Sequence, residues 1–197
     1  MKKHNSAAIR WGRWLGTFVG FPLAGVAARL AVGNIDGVTA GLAGGAVGGA
    51  VLGAVQAMVG GIEPGDRVRW TAATAAGLAV GLSVGAATVG YRTDAASLVA
   101  MGAITGAAVG LAQSVALAMR AVDRLAWIVA TPLLWAGGWL VTSQVIVDVA
   151  RQHAVFGSSG ALAVSALAGV LVARRRRPTA PDAALALVPS QHTAGAA

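Results

Sequence analysis

Cysteine is absent from this 197-residue chain, which excludes disulfides and thiolate metal sites. Charge is scarce: Asp, Glu, Lys and Arg make up 11% of the residues, against about 25% in a soluble domain. Histidine occurs three times, as His4, His153 and His192, too far apart for one helix to present a metal-ligand pair. No Ser/His/Asp grouping occurs, and Ser158-Ser159 has no base nearby in sequence. The glycine-rich stretch 37–61 lacks the G-K-[ST] of a phosphate loop. No apolar run carries an ionisable residue near its centre, where a membrane pump or enzyme usually places one. These absences argue against catalysis, and the sequence calls for no cofactor and no metal.

What is present is apolar and small. Hydrophobic residues are 56% of the chain, glycine contributes 28 residues, and mean hydropathy is +0.71. The net charge of +8 would suit nucleic acid if the basic residues shared a face. They stand instead between apolar runs and at the chain ends, so the partner they imply is a lipid bilayer and not nucleic acid.

Six apolar runs lie at about 14–33, 37–60, 70–90, 95–119, 125–147 and 155–173. At about 1.5 Å per residue, runs of roughly 19–25 residues cross a hydrocarbon layer about 30 Å thick. Pro22 and Pro132 fall inside the first and fifth runs and predict kinks. Lys2, Lys3, Arg10, Arg13, Arg67, Arg69, Arg120, Arg124 and Arg174 to Arg177 flank one set of ends, whereas the opposite set has Arg29, Arg92 and Arg151. That bias predicts a cell-membrane protein with both termini cytoplasmic. The basic start followed by an apolar run also fits a signal peptide. The first run, however, belongs to a repeat.

The repeat has a period of about 57 residues. Trp70 and Trp127 are 57 apart, Trp14 lies 56 before Trp70, and Gly25 and Gly81 are 56 apart. The clearest match sets Gly45-Ala-Val-Gly-Gly49-Ala-Val-Leu-Gly53-Ala-Val-Gln56 against Gly102-Ala-Ile-Thr-Gly106-Ala-Ala-Val-Gly110-Leu-Ala-Gln113. A third copy keeps only small residues four apart, at Gly157, Ala161, Ser165 and Gly169. Each outer turn holds one Arg and one Asp: Arg29 and Asp36, Arg92 and Asp94, Asp148 and Arg151.

The predicted fold is therefore all-α: six transmembrane helices as three hairpins (14–62, 70–119 and 125–173) with approximate three-fold pseudo-symmetry. A basic N-terminus (1–13) precedes them, and a basic then disordered tail (174–197) follows. Gly41, Gly45, Gly49 and Gly53, Gly77, Gly81 and Gly85, and Gly102, Gly106 and Gly110 form ridges four residues apart, along which helices pack closely. Gly12, Gly16 and Gly20 repeat the spacing. The same ridges would serve a homo-oligomer or a membrane partner protein. The fifth helix is bulkier, with Trp127, Trp135 and Trp139, and is expected to cover the outside of the bundle.

Gln56 and Gln113 stand one to two turns from the basic ends of the second and fourth helices. They act there as packing amides or line a vestibule. Thr74 and Thr131 can bond their own helix carbonyls, and Thr142-Ser143-Gln144 is expected at the interface. The Glu63–Trp70 connection and the Arg174–Arg177 run are expected to touch anionic headgroups.

Ridges of the form G-x-x-x-G, followed by G-x-x-Gln and a basic boundary, resemble those of uncharacterised Gly/Ala-rich repeat proteins of bacterial inner membranes. The resemblance covers about residues 10–175 and carries no activity with it. The functional expectation is a non-catalytic polytopic protein acting through helix packing and association. The alternative is a passive channel or permease for a small uncharged solute.

Overall fold

The computed structural model describes residues 2–145 and 157–174, with side chains from residue 7 onward. Asp148, Arg151, His153, His192, Arg175 to Arg177 and the tail lie outside the described residues, as does the side chain of His4. Among the described residues all regular structure is helical. The elements are α1 (Lys2–Gly16), α2 (Gly20–Val32), α3 (Val38–Val59), α4 (Arg67–Thr88), α5 (Ala95–Ala116), α6 (Ala121–Val145) and α7 (Ser158–Arg174).

Helices α1 and α2 are one apolar span, Ala7–Val32, interrupted by a 3-10 turn at Thr17–Val19. The interruption has a local cause. Pro22 has no N–H to donate back to the carbonyl of residue 18, so the α-ladder cannot run unbroken through that turn. Pro132 stays inside α6. Helix α4 ends at Gly90 (φ 61°) and Tyr91 (φ 57°), whose N–H reaches back to the Ala86 carbonyl at 2.8 Å. Helix α5 is started by Asp94, whose carboxylate accepts from the Ser97 N–H at 3.0 Å and from its hydroxyl at 2.6 Å.

From α2 onward each helix packs on the next in the chain, and α7 packs on both α6 and α1, which closes the set into a ring. The surface is reversed relative to a soluble protein. Leu30, Val80, Leu111, Val115, Leu125, Leu133 and Leu167 are exposed, whereas Gln56, Thr74, Ser97, Thr105, Gln113, Ser114 and Thr131 are buried. Five helical spans are long and apolar enough to cross a membrane: Ala7–Val32, Val38–Val59, Pro64–Thr88, Ala95–Ala116 and Ala121–Val145. The chain thus has the helices of a multi-pass membrane protein. The sixth run forms the shorter α7, whose 17 residues extend about 25 Å at 1.5 Å per residue.

Small residues set the spacing inside the ring. A Cβ built on Gly45 would lie 2.6 Å from Ala79 Cα, and one on Gly49 would lie 2.6 Å from Ala75 Cα. Gly41 and Gly53 meet Ser83 Cα and Thr71 Cα, each at 2.9 Å. Helix α4 presents Gly77, Gly81 and Gly85 to the backbone of α5 at 2.8, 2.8 and 3.0 Å. These separations are closer than any side chain allows, so the helices touch backbone to backbone. Gly12 differs from this pattern: a Cβ there would meet no described atom within 4 Å.

Helix α6 corrects one expectation. Trp127, Trp135 and Trp139 are buried and do not cover the outside; Val122, Leu125, Val129, Leu133 and Leu140 do. Trp127, Thr131, Trp135 and Trp139 fall four apart and so share one face. That face fills the ridge on α5: Gly102 lies against Trp135 and Trp139, Gly106 against Thr131 and Pro132, and Gly110 against Thr131.

Candidate functional site

Trp14, Trp70 and Trp127 stand near the start of the first, third and fifth long spans. Three or four residues on, a threonine hydroxyl donates to the tryptophan's own carbonyl: Thr17 to Trp14 at 2.7 Å, Thr74 to Trp70 at 2.8 Å, Thr131 to Trp127 at 2.7 Å. Such back-bonding satisfies a hydroxyl without a ligand. Gln56 and Gln113 each lie three residues before the end of their helix, and the connection that follows turns the chain back. A tryptophan 14 residues later therefore arrives at the same level.

The consequence is a pair of matched contacts. Trp70 Nε1 donates to Gln56 Oε1 at 3.1 Å, and Trp127 Nε1 donates to Gln113 Oε1 at 3.1 Å. Gln113 Nε2 joins the two by donating to Gln56 Oε1 at 3.2 Å and to Thr74 Oγ1 at 2.9 Å. Both amides are buried, Gln56 at 6% and Gln113 at 1% exposure. The three indoles close around them, with ring centres 6.0 Å (Trp14–Trp70), 5.8 Å (Trp14–Trp127) and 6.1 Å (Trp70–Trp127) apart. The first two pairs meet edge to face, the arrangement that aromatic quadrupoles favour. Beside the amides is a cavity of about 20 Å3, also lined by Trp14, Thr131 and Ser165.

Above the indoles, at the end carrying most of the arginines, is a larger cavity of about 460 Å3. Its floor is Trp14 and Trp70; Ile62, Leu117, Met119 and Val172 make apolar walls; Arg10, Arg13, Glu63, Asp66, Arg120 and Asp123 supply charge. That volume is within the range of small-molecule pockets. The arginines are held in place. Arg13 Nε donates to the Val59 carbonyl at 3.2 Å and Arg10 Nη2 to the Ala173 carbonyl at 2.7 Å, so α1 caps the ends of α3 and α7. Arg120 and Asp123 pair in a two-pronged contact at 2.9 and 3.3 Å, and Arg69 lies 3.5 Å from Asp66.

At the opposite end, Arg29 donates to Asn34 and Arg92 stands 3.8 Å from Asp94. The Ser97 hydroxyl, then its backbone N–H, hold the Asp94 carboxyl below the usual carboxylate range. Thr142 is buried and accepts from the Gly157 N–H at 3.1 Å, while Gln144 is exposed. Among the described residues no group of three or more His, Asp or Glu is placed to hold a metal ion.

The structure thus brings Gln56 and Gln113 together with Trp14, Trp70, Trp127 and Thr74, and distributes the ridge glycines along three successive helix contacts. Sequence reasoning missed the larger cavity and the place of Thr17. The latter was detectable, since Thr17, Thr74 and Thr131 are spaced by 57 like the glutamines. No protein-family model, curated protein or solved structure matches this chain.

Proposed function

We propose that this chain is a non-catalytic polytopic protein of a bacterial inner membrane that works by association. In this reading it has six spans in three related hairpins with approximate three-fold pseudo-symmetry, and both termini are cytoplasmic. Its ridge glycines assemble its own helices, and the assembled body presents the basic end to a partner protein or a second copy. The observation that supports the packing part of the reading is the consumption of the ridges inside one chain: Gly45, Gly49, Gly77 and Gly81 each sit against the backbone of the next helix, so these ridges are not free to meet a second copy. What is left to meet another molecule is the apolar outer collar and the indole-floored cavity, whose three arginines are matched by three carboxylates.

The channel reading needs a path past Gln56 and Gln113. Both amides are buried and bonded, and the cavity beside them has room for about one water molecule. Liposomes containing the purified chain separate the two readings. Association predicts that glycerol and urea flux stays at the protein-free rate. It also predicts that Gly45→Leu with Gly49→Leu abolishes accumulation or assembly. Solute flux well above background, or normal accumulation of the double variant, would overturn the reading.

A further inference from the structure

The polar cluster is unequal on its three sides. Two of the three indoles donate to an amide on the preceding helix, Trp70 to Gln56 and Trp127 to Gln113. On the third side, α7 packs beside Trp14 through Ala168 and contains no glutamine. Its polar residue beside the amides is Ser165, 1% exposed, whose hydroxyl makes no hydrogen bond to any described residue. Ser165 lines the cavity of about 20 Å3 together with Trp14, Gln56, Gln113 and Thr131.

A buried hydroxyl left unbonded is costly, and in lipid no solvent is at hand to relieve it. A water molecule requires about 10–15 Å3 of probe volume and two to four polar partners. The cavity meets both conditions. We infer that it is a binding site for one ordered water, which bonds Ser165 and the glutamine–threonine cluster.

Ser165 Oγ donates to that water. The water in turn donates to the second lone pair of Gln113 Oε1 or to Thr131 Oγ1, whose own proton is committed to the Trp127 carbonyl. The site lies between α7 and the rest of the ring, so the water joins the shortest helix to the centre. It is a packing water, with no exchange path implied.

The test is an experimental structure of the full chain in a lipid nanodisc, at a resolution that shows ordered solvent. The expected result is a single peak at hydrogen-bond distance (about 2.6–3.2 Å) from Ser165 Oγ and from Gln113 or Thr131. A dry site, with Ser165 Oγ turned onto the Ala161 carbonyl of its own helix, would overturn the inference. So would a peak with the shorter ligand distances of a cation. As an independent check, Ser165→Ala should lower Tm by roughly 2–4 °C, the shift expected for one lost hydrogen bond in a chain of this size. Ser159→Ala, which removes the other buried hydroxyl without a partner among the described residues but does not line the cavity, serves as the comparison. A Tm unchanged or raised in Ser165→Ala would contradict the water site.

Discussion

At the scale of single residues, glycine identity has two different meanings in this chain. At Gly49 a methyl group would fall 2.6 Å from Ala75 Cα, so the backbones of α3 and α4 would have to separate. Gly49→Ala is therefore expected to cost about 1–3 kcal/mol, the range for forced overpacking. At Gly12 nothing described lies within 4 Å, so Gly12→Ala should be neutral or gain up to about 1 kcal/mol through helix propensity. Unfolding of the two variants in the same detergent measures the difference, and equal effects would contradict the packing account. The amides allow a second comparison. Gln113 bonds three side chains, so Gln113→Leu should lose about 1–3 kcal/mol. Because Gln56 and Gln113 share a bond, the double Leu variant should lose less than the sum of the single losses. Strict additivity in a double-mutant cycle would show that the amides act independently.

At the scale of elements, most helices could be read from the sequence, because apolar runs free of charge leave the backbone no partner but itself. The ridges were readable for the same reason that they pack: residues four apart share a face. The tryptophans of α6 suggest an outward face by their bulk alone, yet they point inward. Trp127, Trp135 and Trp139 are four or eight apart, so they form one row, and a row of large side chains is what the bare α5 ridge requires. The glutamine–indole bonds were not readable from spacing alone. They depend on how each connection sets the level of the returning helix, which the 57-residue period implies but does not position. The larger cavity is not visible in the sequence for a related reason, being assembled from α1, two connections, the starts of α4 and α6, and α7.

Helix α5 gives a pH prediction at this scale. Its cap, Asp94, has its carboxyl lowered in the fold by Ser97, below the ordinary value of 3.8. A lowered carboxyl stabilises the fold above the unfolded value and loses that contribution as pH falls through the folded value. Wild type should therefore lose the capping contribution only below about pH 4. Asp94→Ala should lack it at neutral pH and converge with wild type in acid. Amide exchange at the first turn of α5 follows this directly, and a gap between the two proteins that persists unchanged at pH 3 would contradict it.

At the scale of the whole molecule, the ring closes where its joints are least alike. Helices α3, α4, α5 and α6 meet through glycine ridges, whereas α7 meets α1 through Gly169 against Trp11 and through Trp11 Nε1 donating to the Ala166 carbonyl at 2.9 Å. Helix α7 is also shorter than the hydrocarbon layer it is proposed to span. It should therefore exchange its amide protons faster than α3 or α4 in a bilayer, and slower exchange in α7 than in α4 would contradict the description.

The membrane arrangement itself is open to one direct measurement, made simple by the absence of cysteine. Single cysteines at the exposed positions Gly65 and Ala118 mark the basic end, and those at Asn34 and Ala95 mark the other. Labelled with a membrane-impermeant thiol reagent in sealed vesicles of known orientation, Gly65→Cys and Ala118→Cys should react only from the cytoplasmic face. Asn34→Cys and Ala95→Cys should react only from the opposite face. Labelling of all four positions from the same face would contradict the account.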